Sequence, residues 1–134
     1  MTREAFEELV ADEFPRAIPE KFRHAIENTA LLIEDEPAPA LRQEEHLGPH
    51  ETLLGLYRGI PATARGDNYG VGSTLPDTIT LFQKPIEAAA LEEHADVRRV
   101  IRETIWHEVA HHFGYDERQI RGREHERDAS GPEE

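Results

Sequence analysis

The sequence predicts a single compact α+β domain, with a small sheet of about three strands packed on helices. Three observations carry this. Short apolar or alternating stretches bounded by Pro and Gly occur at residues 29–34, 52–60 and 78–82 and read as strands. A longer stretch, residues 96–113, has apolar residues at helical spacing on one broad face. At 134 residues and 15.3 kDa, the chain has room for one modest core.

Taken in order, Thr2 is a side-chain cap for a first helix, with Glu4, Glu7 and Glu8 favourable near its positive end. Phe6, Leu9, Val10 and Phe14 form its apolar stripe, and Pro15 is expected to end it. A short second helix opens at Pro19 and runs to about Asn28, with Phe22 and Ile26 inward. Pro37 and Pro39 close the first strand, and residues 37–50 read as a connecting loop. The second strand is softened by Gly55 and Gly59. Residues 61–77, with Pro61, Gly66, Gly70, Gly72 and Pro76, read as a long flexible loop. Pro85 stops the third strand, and a short helix follows it through Ala90.

The long helix has Asp96 as N-cap and Val97, Val100, Ile101, Ile105 and Val109 as its apolar face. Arg98, Arg99, Arg102 and Glu103 make its other side wet at the start. From Ile105 onward nearly every other position is apolar, so the end of the helix is expected in the core. Gly114 suits the left-handed residue after a helix, and Asp116 with Gln119 suits the opening of a last one. Residues 1–122 are expected to form the domain, and residues 123–134 a polar, disordered tail.

Composition excludes several classes of partner. A formal net charge of −13 opposes a phosphate backbone or an anionic membrane, because Lys and Arg supply those attractions. Nucleic acid and membrane are therefore not expected as partners. With no cysteine, any metal must be held by His and carboxylates. The first residues lack an apolar signal core, so a cytoplasmic location is the default expectation.

The chemistry-bearing stretch is His107-Glu108-Val109-Ala110-His111. Residues four apart share a helix face, so His107 and His111 can present two imidazoles to one cation. Glu108 then holds a metal-bound water rather than the metal. The five residues alone arise readily by chance in a chain with eight histidines. Gly114 and an acidic residue ten positions after His107 make the pattern more specific. A catalytic zinc takes three protein ligands and leaves one position for water. Because the chain reverses at Gly114, Glu117 is the expected third ligand, and Asp116, with a capping role of its own, is the rival. His112 points away from His107 and His111 and is expected to pack or to support them. Tyr69 and Tyr115 are candidates for an oxyanion donor, although Tyr115 is better explained as a packing residue. His94 and His125 sit in polar surroundings and are expected to be solvated, and His24, His46 and His50 have no supporting pattern.

The run HEVAHHFGYDE, together with the TLPDTITLFQKP stretch before it, resembles the small bacterial zincin-like metallopeptidases over roughly residues 2–122. The family pattern is H-E-x-x-H-x-x-G-x-x-D. His107, Glu108, His111 and Gly114 match it, and Glu117 stands where the family has Asp. The resemblance implies a compact zincin-like domain holding one Zn2+ per chain, with Glu108 as general base acting on a peptide or protein substrate. It also implies an extended peptide lying along an edge strand, for which residues 78–82 are the expected strand. Two alternatives remain at this point. One is a non-catalytic zinc-binding interaction domain. The other is a metal-dependent endoribonuclease, which the same spacing also resembles but which would have His at position 117 and no Glu108.

Overall fold

The structure is a computed structural model that describes residues 1–59, 76–115 and 118–119. Among these lie five helices: α1 (Arg3–Ala17), α2 (Glu20–Arg23), α3 (Pro39–Glu44), α4 (Gln83–Glu93) and α5 (Val97–His112). They surround a three-stranded sheet of β1 (Thr29–Glu34), β2 (Gly55–Arg58) and β3 (Asp77–Phe82). The class is mixed α and β, as the sequence predicts. Most of the expected 61–77 loop, the capping pair at 116–119 and the 123–134 tail fall wholly or partly outside the described residues.

The strand order is β1-β3-β2, with β1 parallel and β2 antiparallel to β3. β3 is therefore central. This corrects the expectation that residues 78–82 form an edge strand: both sides of β3 are paired, and among the described strands β1 and β2 are the edges. Ile79 and Leu81 alternate onto one face of β3 and are fully buried there. Phe6 and Val10 of α1 join them, as do Ile86 of α4 and Val100, Ile101, Ile105 and Val109 of α5, in one core.

Local chemistry shifts several boundaries. The Thr2 side chain caps α1 by accepting from the Ala5 N–H, as expected. Pro15 does not end that helix. It lies in the last turn, where it lacks the N–H that would bond the Ala11 carbonyl, and burial of Ala17 and Ile18 holds the turn onto the core. Residues 37–50 are not all loop, since Pro39 starts α3 at a first-turn position that tolerates a missing N–H. β2 is shorter than residues 52–60, and α2 ends at Arg23, well before Asn28.

The wet side of α5 is only partly wet. Glu13 of α1 is 0% exposed, and its two carboxylate oxygens accept from Arg98 at 3.0 Å and Arg102 at 2.9 Å. A buried carboxylate is costly unless paired and hydrogen-bonded, and this one is both. The hydrogen bond to Glu13 also raises the pKa of Arg98.

Candidate metal centre and the strand beside it

α5 begins at Asp96, whose side chain accepts from the Arg98 N–H. It ends in two backbone bonds, Gly114 N–H to His111 O at 3.0 Å and Tyr115 N–H to Ala110 O at 2.9 Å. Gly114 has φ +92°, so these bonds form the left-handed terminator that its sequence position predicts. Tyr115 then packs back on Ala110 and Trp106, the apolar contact that usually accompanies this turn. Its ring meets Trp106 edge-on at 5.7 Å and Phe22 at 5.8 Å. Tyr115 is thus a packing residue.

The motif turn has two faces. Trp106, Val109 and Ala110 are fully buried, whereas His107 and Glu108 are half-buried and His111 is exposed. The end of the helix is therefore not wholly in the core, because the polar residues share the solvent side. The His107 and His111 rings are 4.7 Å apart at 69° to each other, one turn apart on one face. A groove of about 330 Å³ reaches His107, lined also by Leu54, Gly55, Val100, Thr104 and Glu108. The α5 members of that lining recur at helical spacing, so the groove follows one face of the helix toward the motif.

Glu108 is tied to the sheet. Its Oε1 accepts from the Tyr57 N–H of β2 at 3.2 Å. The Tyr57 hydroxyl donates to Asp77 Oδ2 at 2.7 Å, and the Tyr57 ring stacks on His112 at 4.0 Å and 18°. His112 Nε2 lies 3.9 Å from the same Asp77 oxygen. His112 thus packs against Tyr57, the packing role being one of the two expected of it. Tyr57 and Asp77 were not foreseen, since Tyr57 reads as an ordinary strand residue and Asp77 as the last residue of the 61–77 loop, although it opens β3.

This donor set suits zinc. Two imidazoles stand one turn apart, and the chain has no thiol to compete for a softer metal. Among the described residues, no three His, Asp or Glu side chains form a complete metal cluster. The expected third ligand Glu117 and its rival Asp116 lie outside the described residues, as do Tyr69 and His125. His24, His46, His50 and His94 are all exposed, and His24 pairs with Glu27 at 3.2 Å.

A family model described as zincin-like metallopeptidase matches residues 26–127. The chain belongs to that family. The match takes in all three strands and the whole of the motif helix of this zincin-like chain. A solved structure, a conserved hypothetical protein from Thermo thermophilus, is similar at 27% identity and a TM-score of 0.54. The similarity covers 91% of this zincin-like chain and 99% of that one. Comparison with curated proteins finds no match. No helix among the described residues is long and apolar enough to cross a membrane.

Proposed function

We propose that this chain is a zinc-dependent peptide-bond hydrolase, with His107, His111 and Glu117 as metal ligands and Glu108 as general base. The observation that carries the reading is the Tyr57 N–H···Oε1 bond. It fixes the Glu108 carboxylate at the head of the groove, next to the paired imidazoles. A bound zinc supplies Lewis acidity, lowering the pKa of water and polarising a carbonyl.

The chain's own groups do the rest. Glu108 is the carboxylate assigned to take the proton of the attacking water and return it to the leaving amine, oriented by the strand at Oε1. Among the described strands β2 is the edge strand beside α5, so an extended peptide can add there through main-chain groups other than the Tyr57 N–H, which Glu108 engages. The groove along α5 then receives a neighbouring side chain of that peptide.

Glu108→Gln tests the reading. It is expected to lower kcat for peptide hydrolysis by at least about 10²-fold while leaving about one zinc per chain bound. Unchanged hydrolysis would remove Glu108 as the base. Zinc binding without hydrolysis of any member of a broad peptide library would point instead to a non-catalytic zinc-binding domain. Salt-sensitive RNA cleavage would point to the endoribonuclease class.

A further inference from the structure

The carboxylate proposed as the base accepts from the backbone of a short strand at the sheet edge. β2 has four residues, sits at the sheet edge and is flanked by Gly59 and opened by Gly55. Short edge strands with glycines fray easily, and a hydrogen bond from a fraying strand orients nothing. The Tyr57 side chain meets this difficulty. We infer that Tyr57 and Asp77 are positioning residues for Glu108, acting as a clamp that fixes the Tyr57 N–H against the base.

Three contacts build the clamp. Tyr57 pairs with Ile79 across the ladder, so Asp77 is its diagonal neighbour on the central strand. Asp77 is only 16% exposed, and its 2.7 Å bond from the Tyr57 hydroxyl is short and charge-assisted. Glu108 and His112 lie four apart and share one face of α5. Tyr57 grips that face at both points, through its N–H at Glu108 and its ring at His112. Gly59 keeps the strand close to His112, because a Cβ there would lie 3.2 Å from His112 Cε1. One tyrosine thus links the central strand, the edge strand and the motif helix. The base inherits the rigidity of β3 rather than that of β2.

The inference rests on the peptidase reading for its catalytic consequence but not for its geometry, so the two are tested separately. The geometric test follows the residue-57 amide by NMR and hydrogen exchange, in zinc-free and zinc-loaded protein. Tyr57→Phe and Asp77→Ala are expected to speed exchange at that amide about tenfold, as loss of a charge-assisted bond implies. Asp77→Asn keeps an acceptor for the hydroxyl and is expected to retain protection. The catalytic test uses the same variants. Tyr57→Phe and Asp77→Ala are expected to lower kcat about 10- to 100-fold with KM within about twofold, and Asp77→Asn to restore most of it. Unchanged amide exchange in Tyr57→Phe would overturn the clamp. So would a loss of kcat in Asp77→Asn as large as in Asp77→Ala. If the unmutated chain hydrolyses no peptide, the peptidase reading fails, and the amide measurements still decide the clamp.

Discussion

Arg102 on α5 donates to the fully buried Glu13 on α1 across 2.9 Å, and Arg98 one turn earlier donates to the other oxygen of the same carboxylate. The motif helix is therefore pinned to the N-terminal helix by a bidentate ion pair. Removing Glu13 leaves Arg98 its bond to Asp12 but takes from Arg102 its buried carboxylate. Glu13→Ala is expected to destabilise the fold by about 3 kcal/mol, because Arg102 is only 12% exposed and has poor access to water. A lower urea midpoint with unchanged m-value checks it. A change within about 0.5 kcal/mol would mean that the pair is replaceable by solvent.

Gly55 lets β2 approach α5. A Cβ there would lie 2.8 Å from Thr104 Cγ2 and 3.2 Å from both Leu81 Cδ2 and the Thr80 carbonyl oxygen. Gly55→Ala is expected to cost about 1–3 kcal/mol by overpacking. Adding Thr104→Ser removes the closest methyl, so the double variant is expected to be more stable than the sum of the two single changes. A double-mutant cycle in urea measures that coupling, and strict additivity would show that the carbonyl contact, not the methyl, sets the limit.

The proposed ligand set makes an ordered expectation for metal affinity. His111→Ala and Glu117→Ala are each expected to weaken zinc binding by more than about 10²-fold, exceeding the effect of losing an outer partner. Asp116→Ala is expected to change affinity little. Competition with a chromophoric chelator decides it, and the reverse order for the two carboxylates would make Asp116 the ligand.

Asp35 gives a pH signature. A hydrogen bond from Arg3, at 2.6 Å, holds its carboxyl below its ordinary value of 3.8, and the charges of Arg3 and Lys84 add to the effect. A depressed folded pKa means that the unfolded chain takes up the proton first. The contribution to stability is therefore present above about pH 4 and lost as pH falls through the lower folded value. Asp35→Asn is expected to flatten that part of the acid limb. Urea midpoints between about pH 5 and pH 2.5 test it, and parallel curves for the two proteins would remove Asp35 from the acid response.

His94 closes α4 in the left-handed region at φ 55°. The conformation is uncommon for a residue with a Cβ. The side chain is exposed, so nothing buried is lost by removing it. His94→Gly is expected to stabilise the fold by about 0.5–1 kcal/mol, read as a rise in the urea midpoint.

Residue patterns that act locally were legible in the sequence. β1 could be read to its ends, because Thr29 to Glu34 is a β-favouring run cut off by proline. Asp96, Gly114 and the His107–His111 spacing likewise declare a cap, a terminator and a paired face. What was hidden depends on partners distant in sequence. Nothing near Tyr57 says that its N–H meets a residue 51 positions away, and nothing near Glu13 says that it is buried against Arg102. Strand order was hidden for the same reason. Residues 78–82 alternate as either an edge or a centre strand can, and only pairing on both sides makes β3 central.

The sheet order also bears on how the molecule comes together. β1 pairs with β3 in the register Thr29↔Asp77, and β2, made in between, joins β3 from the other side. Among the described strands, neither of the first two has a partner until the third has been synthesised. Closing such a long loop carries an entropy cost before any pairing rewards it, which slows folding. Asp77 and Glu108 therefore reach Tyr57 late, and a nascent chain is expected to carry no assembled candidate metal centre until α5 has emerged and docked.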